Sequence, residues 1–318
     1  MKATGGPREI PTDADAATLR FGERAVGLTN LGKVFFAQAN LAKRDLLQYY
    51  LDIAPLLLPH LQDRAMVMKR YPHGAAGEFF FMKRTPAGAP PWLRTCRIEH
   101  DSGNVIDFPI VDDAAALLWI VNLGCIDLNQ WYARCDDVQR PDYLHFDLDP
   151  VKRAGGGGTP FEVVREAALV LKAALDDLSM PVYAKTSGSN GIHVYVPILR
   201  GPVQHDVWRF AKAFAFTLAA KRPDILTAEY KIAKRPQGRV LVDYNQNAWG
   251  RTLASVYSVR PTPRATVSTP VEWSEIADGF SLNDFRVDNV RDRFARTGDL
   301  WRPLLVSRAK RVDLAAYL

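Results

Sequence analysis

The sequence is poor in cysteine and has no long apolar run, and these absences exclude several classes of protein. Only three of its 318 residues are cysteine, and none forms a Cys-x-x-Cys pair. This argues against a disulfide framework and a zinc ribbon, and is typical of a reducing cytoplasm. The N-terminus lacks the apolar core of a signal peptide, and the longest apolar run, Ala114 to Leu123, is too short to span a bilayer. We therefore expect a soluble cytoplasmic protein that uses no zinc and no membrane.

What the chain does contain is an ordinary globular composition with an excess of basic residues. Apolar residues make up 47% and charged residues 24%, which suits one large domain or two small ones. Lysine and arginine number 41 against 35 acidic residues, for a formal net charge of +6. Because each phosphate contacted by a cationic side chain releases counterions, this excess favours a polyanionic partner. A slightly basic protein without such a partner is the alternative.

The hydrophobic pattern predicts a loose N-terminal arm over residues 1–24 and a single domain over residues 25–318. The arm is rich in Gly, Pro, Ala and Asp. Apolar residues spaced at three and four predict helices near 43–54, 160–178 and 203–221. Short alternating segments predict strands, several joined by tight turns as in hairpins. The fold class is therefore mixed α/β, α+β-like, with partly antiparallel sheets flanked by helices. The predicted strands are 66–71, 79–83, 105–110, 143–149, 182–185, 192–196 and 240–244.

The sharpest motif is a pair of aspartates in the apolar segment Tyr143–Pro150. Side chains alternate along a strand, so Asp147 and Asp149 face one way while Leu144, Phe146 and Leu148 face the other. Two like charges so close together are costly unless a cation lies between them, and a hard divalent metal prefers oxygen ligands. The motif alone leaves the reaction open, because it also occurs in solvated positions and in sugar-nucleotide transferases.

A second motif is a strand, turn and strand over Lys185–Val196, in which Ser187 lies in the turn and His193 faces outward. Turn N–H groups together with a hydroxyl and an imidazole suit a triphosphate, although an ordinary polar hairpin has the same pattern. A third is Asp243, at the end of an apolar strand. With Asp147 and Asp149 it would complete a two-metal site for in-line attack by a 3′-hydroxyl. Downstream arginines are candidates for phosphate contacts.

These motifs, in this order, resemble those of the archaeo-eukaryotic primase superfamily. The similarity is greatest to the polymerase domain of bacterial non-homologous end-joining ligase D and its stand-alone primase-polymerase relatives. It extends from Leu28 to Trp273 and is carried by Phe146–Pro150, Thr186–His193 and Val242–Asn247. The resemblance implies a two-lobed catalytic core that uses manganese or magnesium. It also implies template-dependent addition of nucleotides, commonly ribonucleotides, at gaps and double-strand-break ends.

The resemblance further implies a role for each residue at a matching position. The metal ligands and catalytic acids would be Asp147, Asp149 and Asp243. The triphosphate contacts would be Ser187, His193, Arg251 and Arg260. The 5′-phosphate of a downstream DNA strand would be bound by Asn30, Lys33 and Lys43. The template and the incoming end would be contacted by Lys69, Phe80, Phe81, Lys234 and Arg235. The alternatives are ordinary: a buried strand for the phenylalanines, and solvated surface positions for the lysines.

One position departs from the family pattern. Many relatives carry a histidine before the tryptophan of a Leu-His-Pro-Trp segment, where it contacts the ribose. Here Asn129 takes that place in the segment Ile126–Trp131, so the resemblance places Asn129 beside the nucleotide but leaves the sugar preference less defined.

The leading prediction is a DNA-repair nucleotidyltransferase. We see no Lys-x-Asp-Gly ligase segment, so a separate DNA ligase and an end-binding protein are expected partners. The alternatives are a primase that starts strands de novo, a non-catalytic nucleic-acid-binding module and a sugar-nucleotide transferase. A module that only binds DNA has no need for three clustered acids, which would repel the backbone. A sugar-nucleotide transferase would not require the basic N-terminal positions.

Overall fold

The computed structural model describes residues 9–100, 102–151, 159–306 and 310–318. The chain divides into two compact units. The first runs to Trp131 and adds Ala254–Val267 and Phe285–Gly298; the second contains Tyr132–Leu253, Ser268–Asp284 and Asp299–Leu318. The division into an arm and one domain stays a prediction. Within the expected arm, residues 1–8 lie outside the described part, and a strand forms before residue 24.

The elements confirm the predicted mixed α/β fold with partly antiparallel sheets. The strands are β1 (Ala17–Phe21), β2 (Arg24–Leu28), β3 (Val34–Phe36), β4 (Leu41–Ala42), β5 (Met66–Arg70), β6 (Phe80–Met82), β7 (Thr95–Glu99), β8 (Val105–Pro109), β9 (Cys125–Gln130), β10 (Ala133–Arg134), β11 (Asp137–Pro141), β12 (Tyr143–Pro150), β13 (Tyr183–Thr186), β14 (Ile192–Pro197), β15 (Leu226–Thr227), β16 (Val240–Asp243) and β17 (Pro270–Val271). The helices are α1 (Lys43–Leu61), α2 (Ala114–Asn122), α3 (Phe161–Asp177), α4 (Gln204–Lys221), α5 (Trp273–Asp278) and α6 (Val290–Thr297).

The first unit is held together by α1, whose buried tyrosines bond to the backbone of neighbouring segments. Tyr50 Oη donates to the Ile126 carbonyl of β9 at 2.7 Å and accepts from the Val259 N–H at 2.9 Å. Tyr49 Oη donates to the Tyr257 carbonyl at 2.8 Å. Both rings are fully buried, so each hydroxyl needs such a partner. These bonds fix the segment 254–267 against the antiparallel sheet β6-β5-β9.

The second unit is built on a six-stranded sheet in the order β15-β16-β12-β14-β13-β17. All its pairings are antiparallel except β15 with β16. On the inner strand β12, Leu144, Phe146 and Leu148 are fully buried, and α3 and α4 pack against this strand. The alternation of side chains leaves the aspartates of β12 on the other face, as the sequence predicted.

The predicted helices correspond to α1, α3 and α4, whereas α2 was read from the sequence only as an apolar run. Asp113 caps α2, because its Oδ1 accepts from the Ala116 N–H at 2.9 Å. The helix is nearly all apolar because its residues are buried on most sides. Among the described residues, no helix combines the length and the apolar character needed to cross a membrane.

Cys125, on β9, is a free thiol and is fully buried.

Candidate active site

The three predicted acids of the second unit project from one face of its sheet. Asp147 on β12 lies directly opposite Asp243 on β16 in antiparallel register. Asp149 is two residues further along β12, opposite Leu241, and is therefore diagonal to Asp243. Side chains at directly opposite positions have Cβ atoms roughly 5 Å apart, and diagonal ones roughly 7–8 Å. Residues that are distant in sequence thus become nearest neighbours.

The donor set of these acids fits a divalent metal. Like charges directly opposite one another destabilise a sheet unless a cation neutralises them, and carboxylate oxygens are the ligands that magnesium and manganese prefer. As the side chains stand, the described residues contain no group of three or more His, Cys, Asp or Glu close enough to hold an ion. The register of β12 with β16 therefore places the three acids side by side. The rotamers of their side chains determine where the carboxylate oxygens lie.

Asp243 is held by its own loop. Its Oδ1 accepts from the Asn245 N–H at 2.8 Å, and its Oδ2 accepts from Gln246 Nε2 at 3.0 Å. The neighbouring Asn247 is buried and bonds to both backbone groups of His145, its Oδ1 accepting at 3.1 Å and its Nδ2 donating at 2.7 Å. The side chain of Asn247 therefore bonds to the backbone of β12 at a position beyond the end of β16.

The turn Ser187–Gly191 follows β13 and is closed by the Ser187 hydroxyl. Ser187 Oγ accepts from the Ser189 N–H at 3.1 Å and the Gly191 N–H at 2.9 Å. These two N–H groups are bound inside the turn, so the expectation that the turn N–H groups lie open to a phosphate is wrong for both. The Ser187 hydroxyl retains its own proton as a donor.

Gly191 brings this turn against the acids. A Cβ on Gly191 would lie 2.2 Å from the Leu148 carbonyl oxygen and 3.0 Å from Asp149 Oδ1. No residue with a side chain fits at such distances. The close approach of β14 to the acid-bearing end of β12 therefore depends on glycine at this position.

His193 lies between a buried lysine and an acid. Its Nε2 is 3.3 Å from Asp147 Oδ1, and its Nδ1 is 2.6 Å from Lys185 Nζ. Lys185 is fully buried. The sequence motif begins at Lys185 but assigns this residue no role. The signal for one is a charged residue in the apolar strand that precedes the turn.

His145 shares the face of Asp147, two residues away on β12. Its ring is fully buried and lies 3.8 Å, centroid to centroid, from the ring of Tyr132. Burial lowers the pKa of His145 to about 3, so the imidazole is neutral at pH 7 and adds no charge to this face.

The remaining basic candidates of the second unit lie at its surface. Arg251 is exposed, and its backbone N–H donates to the Ala248 carbonyl at 3.1 Å. The loop before β16 is braced by Arg235, which donates to the Glu229 carbonyl at 2.9 Å and the Tyr230 carbonyl at 3.0 Å. Lys234 on the same loop is exposed.

In the first unit, the candidate 5′-phosphate residues lie on one turn and the start of α1. The Lys43 N–H donates to the Lys33 carbonyl at 2.8 Å, and the Lys33 N–H donates to the Asn30 carbonyl at 3.1 Å. Lys43 Nζ donates to the Thr29 carbonyl at 2.6 Å. Burial, and then the positive charge of Lys33, lower the pKa of Lys43 to about 8. Two cations held close together favour an anion between them.

The candidate template residues are exposed aromatics beside a lysine. Phe80 and Phe81 are 43% and 57% exposed, so the alternative of a buried strand is wrong. Lys69 lies opposite Phe81 in the β5–β6 pairing, and its Nζ is 4.1 Å from the ring centroid of Phe79 and 5.6 Å from that of Phe81. Burial lowers the pKa of Lys69. Exposed rings beside a cation suit stacked bases and phosphates.

Asn129 and Arg260 lie near a buried acid of the first unit. Asn129 is 7% exposed, and its Nδ2 donates to the Asp127 carbonyl at 3.1 Å. Arg260 Nε is 3.6 Å from Asp127 Oδ2. The sequence analysis gave Asp127 no role, although it shares the β9 face of Asn129 by alternation.

Comparison with known proteins identifies the family of this chain. The LigD primase-polymerase domain family matches residues 42–301. The chain belongs to this family. It is 34% identical over 281 residues to the multifunctional non-homologous end joining protein LigD of Mycolicibacterium smegmatis, covering 88% of this chain and 36% of that protein. It is 30% identical over 271 residues to the bifunctional LigD of Bacillus subtilis, covering 85% of this chain and 42% of that protein.

A solved structure shows the same fold. The polymerase domain of Mycobacterium tuberculosis ligase D, determined in complex with DNA, matches with a TM-score of 0.82 and 29% identity, covering 91% of this chain and all of that chain. As a member of the LigD primase-polymerase domain family, the chain is a DNA-directed nucleotidyltransferase. The predicted enzyme class is confirmed. The chain spans little more than a third of the M. smegmatis relative's length.

Proposed function

We propose that this primase-polymerase extends a 3′ end against a template at gaps and double-strand-break ends. Its substrates would be nucleoside triphosphates, with ribonucleotides preferred. The observation that carries the proposal is the register of Asp147 against Asp243, with Asp149 on the same face. Manganese or magnesium ions bound there would supply Lewis acidity at the attacking 3′-hydroxyl and the leaving pyrophosphate.

The chain's own residues would bind and orient the nucleotide. The three acids would hold the metals. Ser187 has a hydroxyl proton to donate to the triphosphate, because its oxygen already accepts two turn N–H groups. His193 would present an imidazole N–H from the strand next to Asp147. The resemblance adds Arg251 and Arg260, whose guanidinium groups suit phosphate oxygens.

The DNA would be bound by groups that the sequence singled out at three places. The lysine pair Lys33 and Lys43, with Asn30, would bind a 5′-phosphate at the far side of a gap. The exposed rings of Phe80 and Phe81, beside Lys69, would stack on template bases. The exposed loop with Lys234 and Arg235 would contact the incoming end. Several relatives are named as non-homologous end joining proteins, which supports a broken DNA end as substrate. Ligase activity and an end-binding protein would complete the joining of the ends.

The test is extension of a labelled primer on gapped DNA, with manganese and with ribonucleotides and deoxynucleotides supplied separately. The variants Asp147→Ala, Asp149→Ala and Asp243→Ala should lose several powers of ten in rate, because each removes a metal ligand. The matched control is Asp177→Ala, which removes an exposed acid at the end of α3 and should leave the rate unchanged. Wild-type rates in any of the three acid variants would overturn the site. Product on an unprimed template would instead indicate strand initiation.

A further inference from the structure

A buried chain of polar groups crosses the sheet of the second unit and ends at Asp147. Ser268 Oγ is 2.6 Å from Lys185 Nζ, which is 2.6 Å from His193 Nδ1. His193 Nε2 is in turn 3.3 Å from Asp147 Oδ1. The serine and the lysine are both fully buried, and His193 is 2% exposed. An ammonium in such surroundings is costly unless its donors are matched with acceptors.

The direction of each hydrogen bond follows from the proton inventory. Ser268 has one hydroxyl proton and donates it to the Thr186 carbonyl at 2.8 Å. Its oxygen must therefore accept from Lys185. With Lys185 as an ammonium, which has donors and no acceptor, the 2.6 Å contact requires His193 Nδ1 to accept. A neutral imidazole in that contact carries its single proton on Nε2, the nitrogen that lies 3.3 Å from Asp147 Oδ1.

We propose that Lys185 is a positioning residue that fixes the tautomer and orientation of His193. A neutral imidazole can carry its proton on either nitrogen, and the partner of one nitrogen selects the other. With Lys185 in place, an Nδ1–H form would set donor against donor in a buried site. Lys185 thus keeps the Nε2–H donor of His193 directed towards Asp147. That this donor then meets a triphosphate rests on the proposed function.

The direct test is long-range proton–nitrogen NMR on protein labelled with nitrogen-15 in histidine, without metal or nucleotide. The sequence has six histidines, so His193→Gln would assign the signal. The wild type should show a protonated Nε2 and a bare Nδ1. Lys185→Met, which removes the donor, should give a mixture of tautomers or the Nδ1–H form, and Lys185→Arg should restore the Nε2–H form.

A matched control is Lys172→Met. Lys172 lies on α3 and pairs with Asp176, so this variant removes a lysine of the same unit without touching His193 and should keep the wild-type tautomer. A wild-type His193 that carries its proton on Nδ1, or on both nitrogens, overturns the proposal. So does an unchanged tautomer in Lys185→Met. If Lys185→Met does not fold, the wild-type spectrum still decides, and Ser268→Ala, which leaves the lysine in contact with His193, should keep the Nε2–H form.

Activity separates this inference from the proposed function. If Lys185 positions the triphosphate donor, Lys185→Met should raise the nucleotide KM about tenfold, the order expected from the loss of one hydrogen bond, with a smaller effect on kcat. The expected tautomers in a protein that neither binds nor adds nucleotides would support the role of Lys185 and refute the proposed function. If the protein is an active polymerase but His193 carries its proton on Nδ1, the role of Lys185 is refuted and the proposed function is supported.

Discussion

Asp147 and Asp243 lie directly opposite each other on antiparallel strands, so their two carboxylates are neighbours on one face of the sheet and repel each other. Like charges at such positions cost about 0.2–1 kcal/mol. A divalent cation bound between the two carboxylates would offset this repulsion, which is the basis of the metal site proposed above.

Asp243→Asn should weaken the response of the protein's stability to manganese. The change removes one charge, and it also leaves one of the two loop donors, the Asn245 N–H or Gln246 Nε2, without its acceptor, so the manganese response and not the metal-free stability is the test. Manganese at about 100 times its dissociation constant should stabilise the wild type by about 2.7 kcal/mol, and the variant by clearly less. Melting temperatures by scanning fluorimetry, with and without manganese, would show this. Equal manganese shifts in both proteins would argue against the site.

Gly191→Ala should destabilise the protein and abolish nucleotide addition. Its Cβ would lie 2.2 Å from the Leu148 carbonyl oxygen, so β14 would have to move away from the acid-bearing strand. The loss of stability should be about 1–3 kcal/mol, as for overpacking elsewhere. Gly201→Ala is the control, because a Cβ there has no atom within 4 Å. Denaturant unfolding and primer extension measure both effects, and a fully active Gly191→Ala variant would contradict the geometry.

Preference for a 5′-phosphorylated gap should fall as the pH rises through about 8. Burial and Lys33 depress the pKa of Lys43 to about 8, so its ammonium is present below that pH and lost above it. A bound phosphate favours the charged form, and the contact should therefore be strongest below pH 8. Fluorescence anisotropy with phosphorylated and unphosphorylated gaps, from pH 6.5 to 9, would follow the difference. Lys43→Arg should remove the pH dependence, because arginine stays charged; a flat wild-type profile would refute the prediction.

Phe80→Ala and Phe81→Ala should weaken binding to a single-stranded template without lowering stability. Both rings lie at the surface, at 43% and 57% exposure, so their removal leaves no enclosed cavity, whereas stacking on a base is worth about 1–3 kcal/mol. Each variant should bind roughly ten times more weakly, while its melting temperature stays near that of the wild type. Phe216→Ala, at a position that is 47% exposed, is the control and should bind normally. Wild-type affinity in both variants would remove these rings from the DNA site.

Asn129 should support a preference for ribonucleotides that does not vary with pH. One N–H of its amide is used by the Asp127 carbonyl, and its Oδ1 could accept from a 2′-hydroxyl. Loss of such a bond costs roughly 1–3 kcal/mol, or about ten- to hundredfold in selectivity. An amide does not titrate, so the ratio should be constant across about pH 6–7.5. Single-nucleotide kinetics with both sugars, on wild type and Asn129→Ala, would measure it; equal use of both sugars by the wild type would exclude the role.

The sequence by itself determined which face of a strand or helix each residue occupies. Alternation in Tyr143–Pro150 predicted that Asp147 and Asp149 share a face opposite to that of Leu144 and Phe146, and the strand pairing agrees. Alternation did not predict burial, because Asp147 is only 6% exposed. The spacing of apolar residues likewise located α1, α3 and α4. These features are local, because the period of a helix or strand is fixed by backbone geometry over a few residues.

Only the tertiary structure decided which of these faces meet and what covers them. The pairing of Asp243 with Asp147 depends on the register between strands that are far apart in the chain. Ser268 and His193 provide acceptors for the buried Lys185, whereas no layer in the described part of the chain covers Phe80 and Phe81, which are exposed. The physical reason is that strand pairing and burial are set by long-range contacts, which the local pattern constrains but does not select.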